Sequence, residues 1–266
     1  MKIQFKETTA DLLIRIHIHD KYGSKNIDDW MLKVLKLKPA LKILDVGCGS
    51  GKQCFSFSDE LKGNTDITGG DVSHELLNEA RNENFKRRTN IKFTILDFNK
   101  HFEFPDNTFD LISCCFAIYY AKDIHFTINE MHRILKPGGR LFTTGPMREN
   151  KKVFYEITKE ATNTPIPPMP GSSRYSSEIL DTLHQHFSKV EVKIFENPLI
   201  FDTANPILAY TRASLSEDRK LWSDFFTGKD DFEKVMQKIK EVINQHIAME
   251  GKIIMKKVVG GFLAYK

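Results

Sequence analysis

The 266-residue chain has no apolar run approaching the roughly 20 residues a helix needs to cross a bilayer, so no membrane insertion is expected. Its opening residues, Met1-Lys2-Ile3-Gln4-Phe5-Lys6-Glu7, lack the apolar stretch of a secretory leader, which points to a cytoplasmic protein. Cysteine is scarce. Of the four (48, 54, 114 and 115), two are adjacent, one lies in a glycine-rich loop and none has C-x-x-C spacing. That excludes a disulfide framework and a zinc cluster, and fits reduced thiols. Charge of one sign is also lacking: 39 basic against 35 acidic residues leave +4, too little to mark a nucleic-acid binder. The pairs His17/His19 and His184/His186 stand two apart, a spacing that points side chains away from each other on a helix, so no metal is expected. No internal repeat and no obvious catalytic dyad is visible. What remains is ordinary: 41% hydrophobic and 28% charged residues, enough for one α/β domain with smaller additions.

Against that background residues 43–51, Ile-Leu-Asp-Val-Gly-Cys-Gly-Ser-Gly, stand out. A short apolar run (Leu41, Ile43, Leu44, Val46) reads as a buried strand, and the glycines at 47, 49 and 51 as a bend before a helix starting near Lys52. Such a bend brings bare backbone up to a ligand at the carboxyl end of a parallel sheet. A dinucleotide fingerprint would need its third glycine at 52, where Lys52 stands. Asp45 is also unexplained by phosphate binding, since a carboxylate repels a pyrophosphate.

Four later segments follow in order. Ile67 to Ser73 is a second strand tipped by Asp71, an acid placed to accept hydrogen bonds from two ribose hydroxyls, or else to cap a helix starting near His74, which Ser73 could also do. Ile91 to Phe98 alternates as a strand and ends in Asp97. After the turn Pro105-Asp106-Asn107, Phe109 to Cys115 reads as a fully buried strand, with Phe116, Ala117, Ile118, Tyr119 and Tyr120 lining whatever lies above it. Asn129 to Leu135 is amphipathic helix, which Pro137-Gly138-Gly139 should stop before a strand from Arg140 to Thr144.

These five segments, spanning 41–145, resemble class I S-adenosylmethionine-dependent methyltransferases, close to the broad bacterial small-molecule group of the ubiquinone and menaquinone biosynthesis enzymes (methyltransferase type 11). The resemblance implies an α/β, Rossmann-like, doubly wound seven-stranded sheet, mostly parallel, with an antiparallel last strand and a helical lid. It implies S-adenosyl-L-methionine as cofactor. Its contacts would be Tyr22, Asp45, Gly47, Cys48, Gly49, Gly51, Asp71, Val72, Asp97, Phe98, Cys115, Phe116 and Tyr120. In such enzymes the acid at 71 takes the ribose, the acid at 97 the adenine amino group, and the backbone N–H of residue 98 the ring. Tyrosines stand at 119 and 120 where that family often has histidine.

The expected organisation is a helical segment (1–40), the cofactor-binding core (41–145), a proline-rich excursion forming a substrate lid (146–175), a core continuation (176–202), a helical cap (203–251) and the last core strand (252–266). Within these, Lys21 to Ile27 reads as a loop before a helix carrying Trp30, Met31, Val34 and Leu35, with Trp30 a core residue. Ser176 is expected to cap a helix carrying Ile179, Leu180, Leu183 and Phe187, and Val190, Val192 and Ile194 to alternate as a strand. Residues 204–213 and 217–226 look helical. The stripe Phe232, Val235, Met236, Ile239, Val242, Ile243, Ile247 marks a long helix whose lysines (229, 234, 238, 240) face solvent, and Ile253 to Ala264 a final strand.

The expected activity is methyl transfer to a small-molecule acceptor. The sulfonium already makes the methyl electrophilic, so a strong base is required only for a protonated acceptor. Tyr119, Tyr120 and His125 are candidates for a base or acceptor-orienting group, and Tyr155, Arg148 and Arg174 for the acceptor pocket. Two alternatives stay open. One is an RNA methyltransferase, because Ser113 to Ala121 bears some likeness to mRNA cap guanine methyltransferases; the other is a cofactor-binding protein without transferase activity.

Overall fold

β1 (Lys42–Val46) runs through the centre of a sheet with its last four residues buried, as its apolar run demands. The computed structural model describes residues 8–215, 221–223 and 229–266. The other strands are β2 (Asp66–Asp71), β3 (Lys92–Ile95), β4 (Phe109–Cys115), β5 (Leu135–Pro146), β6 (Lys189–Phe201) and β7 (Ile253–Tyr265). Helices α1 (Thr9–Tyr22), α2 (Ile27–Leu35), α3 (Lys52–Glu60), α4 (His74–Arg87) and α5 (Ile124–Ile134) belong to the first half of the chain. α6 (Lys152–Thr162), α7 (Pro170–Arg174), α8 (Leu180–His186), α9 (Ala204–Ala213) and α10 (Lys229–Glu250) follow. The chain divides into two compact units.

The larger unit comprises Ile27–Met147, Arg174–Phe195 and Val259–Lys266. The seven-stranded sheet has the order β3-β2-β1-β4-β5-β7-β6. β1 pairs in parallel with β2 and β4, β2 with β3 and β4 with β5. β7 runs antiparallel to β5, with Arg140 opposite Tyr265 and Thr144 opposite Gly261. The chain winds outward from β1 to β3 and then restarts on β1's other side at β4, so the strand order reverses between β1 and β4. In open α/β sheets such a switch point, at the strands' carboxyl ends, is where ligands bind.

Both faces of the sheet are covered, which is why its central strands are apolar nearly throughout rather than alternating. Leu44, Ile112 and Leu141 pack with Ile124, Ile128 and Met131 of α5. Their neighbours Ile43, Leu111 and Phe142 pack on the other side with Met31 and Leu35 of α2, Phe57 of α3 and Leu77 of α4. Trp30 is packed against Phe142 and Phe195, with ring centres 6.4 and 5.3 Å away, in agreement with a core role.

Three local expectations are corrected. α1 continues through Tyr22, so the loop before α2 is only residues 23–26. α5 ends at Ile134, ahead of Pro137: Leu135 is already extended (φ −72°, ψ 139°) and pairs with Phe109, and Pro137-Gly138-Gly139 forms an irregularity in β5. A residue before proline is pushed out of the helical region, and that influence reaches back through Lys136. Ser176 lies inside a continuous helical stretch rather than at a helix start. Helix α7 passes through a π-helical turn, Tyr175–Ile179, directly into α8.

The smaller unit comprises Met1–Asn26, Arg148–Ser173 and Glu196–Val258. The proline-rich excursion contains a helix not expected there, α6, whose Phe154 and Ile157 are buried. Four prolines after residue 164 hid this earlier, regular stretch. α9 and α10 form where the periodicity placed them, with Phe232, Met236, Ile239 and Ile243 buried and Lys234 and Lys238 exposed. Trp222 is fully buried between Phe154 and Phe232, with ring centres 6.4 and 5.6 Å away. Most of the helix expected at 217–226 lies outside the described residues. Among the described residues no helix is long and apolar enough to cross a membrane.

Candidate functional site

The carboxyl ends of β1 to β4 bring most of the candidate residues into one place. Leaving β1, the chain turns sharply: Gly47 N and Cys48 N both donate to the Gly70 carbonyl, at 2.8 and 3.0 Å. Gly47, Gly49 and Gly51 take φ of +71°, +54° and +86°, the left-handed region that side chains disfavour. At Gly47 a side chain is also sterically barred, since its Cβ would lie 2.6 Å from that of Ala117. At Gly49 a Cβ would meet nothing within 4 Å, so this stretch of backbone borders open space.

Asp71 closes the bend from the tip of β2. Its Oδ2 accepts from Gly49 N at 2.8 Å and its Oδ1 from Ser73 N at 2.9 Å. Ser73 Oγ caps α4 by accepting from Leu76 N, so capping does not need Asp71. A carboxylate has about four lone-pair sites, which leaves Asp71 capacity for further donors. Val72, beside it, is an exposed apolar side chain.

Asp97 lies two residues beyond β3. Its Oδ1 accepts from Asn99 N and Nδ2, both at 3.0 Å, and Lys100 Nζ is 3.6 Å from Oδ2. The Asn99 hydrogen bonds and the Lys100 charge hold its carboxyl below the usual range. Asn99 Oδ1 in turn accepts from Lys122 N at 2.7 Å, tying this tip to the segment after β4. The Phe98 ring is buried, and its carbonyl accepts from Thr127 Oγ1 at 2.9 Å.

Asp45 sits beneath the bend rather than at its surface. It is 2% exposed; Ser113 Oγ donates to Oδ1 at 2.5 Å, and Cys54 Sγ lies 3.6 Å from Oδ2. Burial pushes its carboxyl up to about 7, helped by the nearby Asp71 charge and opposed by the Ser113 and Cys54 hydrogen bonds. Cys48 is buried in the bend.

At the end of β4, Cys115 is half-buried with Sγ 3.8 Å from Met31 Sδ. Phe116 has φ +55°, an unusual value for a bulky residue, and is held there by its N–H donating to Thr144 O at 2.9 Å. A 3₁₀ turn, Ile118–Tyr120, follows; the Tyr119 and Tyr120 rings are 4.7 Å apart and Tyr120 is exposed.

Two residues that support this turn carried no such role in the sequence. Arg174 Nη1 donates to the carbonyls of Ala121 (2.5 Å) and Tyr119 (3.2 Å), while Nε donates to Glu178 at 2.9 Å. Its guanidinium therefore fastens the turn. Tyr175 is fully buried, stacked on Phe262 at 4.4 Å, edge-on to Tyr119 at 6.3 Å, and hydrogen-bonded to Thr143 Oγ1 at 3.0 Å. Room for its ring comes from Gly145, whose Cβ would fall 2.5 Å from it.

The remaining candidates each have their own surroundings. His125, in the first turn of α5, faces α8, with Thr182 Oγ1 at 3.5 Å and the His186 ring at 6.4 Å. Tyr22 belongs to the smaller unit, its ring 4.9 Å from that of Phe201. Tyr155 and Arg148 are also in the smaller unit, Tyr155 against Phe154 at 5.8 Å.

Comparison with known proteins adds an independent line. A family profile described as a methyltransferase domain matches residues 37–197. The chain is 25% identical over 205 residues to phosphoethanolamine N-methyltransferase 3 of Arabidopsis thaliana, covering 76% of this chain and 39% of that protein. It is 29% identical over 177 residues to demethylmenaquinone methyltransferase of Chlorobaculum tepidum, covering 61% and 70%. With the Staphylococcus haemolyticus demethylmenaquinone methyltransferase the match covers 53% of that protein, so the chain spans about half the length of several curated relatives. Among solved structures, the YcgJ protein of Bacillus subtilis superposes with a TM-score of 0.58 at 16% identity, covering 90% of this chain and 97% of that one. Haemonchus contortus phosphoethanolamine N-methyltransferase 2, solved in complex with S-adenosyl-L-methionine, gives 0.55 at 19% identity, covering 97% and 57%. At such identities the likeness concerns the fold.

Proposed function

We propose, from the premise that this chain belongs to the methyltransferase-domain family, that it binds S-adenosyl-L-methionine against the glycine bend and methylates a small-molecule acceptor. One observation carries the reading: Asp71 links the tip of β2 to Gly49 N while Gly49 borders open space, which makes a rigid cradle of backbone with a carboxylate at its rim. The residues present fit the cofactor. Asp71 has lone pairs for two ribose hydroxyls, and Val72 offers an apolar surface for a purine. Asp97, kept ionised by its Asn99 and Lys100 partners, would accept from the adenine amino group. The backbone of 47–51 would meet the amino-acid end.

When bound, the cofactor supplies an electrophilic methyl group. The protein's part is then to hold an acceptor atom about 3 Å away and in line, and to keep water out. The Ile118–Tyr120 turn, fastened by Arg174, is the element at the switch point that can orient an acceptor, and the Tyr119 hydroxyl is the group there suited to holding a proton. His125, turned toward α8, is set aside as a base. The small-molecule acceptor rests on the relatives, named for phosphoethanolamine and demethylmenaquinone. Four free cysteines suit a cytoplasmic setting.

The test is calorimetric titration with S-adenosylhomocysteine. Wild type is expected to bind it, and Asp71→Ala to bind about 10- to 100-fold more weakly, the loss of charge-assisted hydrogen bonds. An Asp71→Ala variant that is folded and binds as tightly as wild type would sink the assignment.

A further inference from the structure

We propose that Cys48 and Cys54 are a redox pair, which a peroxide joins in a disulfide that loosens the glycine bend. Both residues belong to the larger unit. The bond itself does not depend on the methyl-transfer reading; its effect on cofactor binding rests on that reading.

The two thiols meet in one small region beneath the bend. Asp45 stands opposite Gly69 in the parallel register, so positions 45 and 69 project from the same face of the sheet. Cys54, the third residue of α3, has its Sγ 3.6 Å from Asp45 Oδ2. Cys48 folds over the neighbouring strand, where a Cβ on Gly69 would lie 3.0 Å from its Sγ. The missing side chain at 69 is what gives that sulfur room. Both cysteines pack in the cluster that contains Phe55 and Ile67. Hydrogen bonding with Cys48, then burial and the Asp45 charge, push the Cys54 thiol well above its ordinary range. Cys114 and Cys115 cannot pair in this way, since neighbours on a strand point to opposite faces.

Their surroundings divide the labour. Cys48 is 8% exposed and sits beside Gly49, whose backbone borders open space, so a small oxidant reaches it first. Its own hydrogen bond, to the Gly49 carbonyl at 3.6 Å, is long and readily given up. Cys54 is fully buried and stays a thiol until a base takes its proton, which suits it to the second step.

In the first step the Cys48 thiolate attacks one oxygen of hydrogen peroxide. The O–O bond breaks, the other oxygen leaves as water once protonated, and Cys48 becomes a sulfenic acid. Cys54 then gives its proton to Asp45 Oδ2, whose carboxyl titrates at about 7, and its sulfur attacks that of Cys48. The S–O bond breaks and hydroxide leaves, taking the proton from Asp45 as water. Two thiols have lost two hydrogens, and one peroxide has become two waters. The sulfurs must close to about 2 Å, and the pliable Gly49 and Gly51 lie within the ring thus formed. The bend then shifts at Gly49, away from Asp71 Oδ2.

The experiment treats the full chain with hydrogen peroxide, blocks free thiols with iodoacetamide and digests with trypsin without reduction. Cleavage after Lys42, Lys52 and Lys62 puts Cys48 and Cys54 on separate peptides, 43–52 and 53–62, which only the new bond holds together. The joined pair, two hydrogens lighter than its parts and parted by dithiothreitol, is the expected product. Cys54→Ser should stop at the Cys48 sulfenic acid, trapped by dimedone, and Cys114→Ala should form the bond as wild type does. Oxidised wild type without the joined pair overturns the proposal, whether or not the variants fold. Amide exchange at Gly49 should quicken about tenfold on oxidation, the loss of a charge-assisted hydrogen bond, and unchanged exchange overturns the loosening. S-adenosylhomocysteine should bind the oxidised protein about tenfold more weakly than the reduced one, and equal affinities overturn the control of that site. Reduced protein that does not bind it at all counts against the methyltransferase reading alone, because the joined peptides are read without it.

Discussion

Replacing Asp45 by Asn tests the energetics of the ground beneath the glycine bend. Asp45 is buried, and its carboxyl is raised from 3.8 to about 7, chiefly by desolvation. A carboxyl that binds its proton more tightly in the folded chain than in the unfolded one favours folding at low pH. That contribution is complete below about pH 4, declines as pH rises and is gone once the folded group ionises near pH 7. Between those limits the folded state holds about one extra proton, so stability falls by about 1.4 kcal/mol per pH unit. Over the whole window this is about 4 kcal/mol, a large share of a typical domain's 5–15 kcal/mol.

Asparagine keeps the shape, still accepts from Ser113 Oγ and cannot ionise. Urea unfolding of both proteins at pH 5, 6, 7 and 8 should therefore show the difference between them moving steadily in favour of the variant up to about pH 7. Above that it should level off. Parallel pH profiles would refute the reasoning, because they would mean that Asp45 titrates alike in the folded and unfolded chain.

Gly47→Ala combines a left-handed φ with a Cβ 2.6 Å from that of Ala117 and should lower stability by about 1–3 kcal/mol, read as a drop in melting temperature. Tyr175→Phe keeps the stack on Phe262 but leaves the Thr143 hydroxyl without its partner; a loss of about 1 kcal/mol in urea unfolding is expected, and no change would mean that this bond contributes nothing. Leu44→Ala opens a cavity between the sheet and α5 and should cost about 2–5 kcal/mol on the same assay. Arg174→Lys cannot bridge the Tyr119 and Ala121 carbonyls with a planar fork, so amide exchange in 118–122 should quicken while the global melting temperature moves little.

Legibility followed distance along the chain. The strand–glycine–helix unit at 42–60, the acid tips at 71 and 97, the buried strand at 109–115 and the amphipathic α10 are each written in a window of a few residues. Backbone φ limits, side-chain alternation and helical period act at that range. α6 escaped because prolines following it coloured the whole segment, and the early end of α5 because a bridge from Leu135 to Phe109 competed with the last helical turn.

By itself the sequence determined that a bare-backbone bend must follow a central parallel strand, because only glycine serves three left-handed positions within five residues. It also determined which faces of the helices are apolar. Tertiary structure decided what each polar group does there. Asp45 and Ser113 are 68 residues apart, and Arg174 meets carbonyls 53 and 55 residues before it. Whether a carboxylate is buried and neutral or exposed and charged depends on what the fold packs over it, and no local window contains that neighbour.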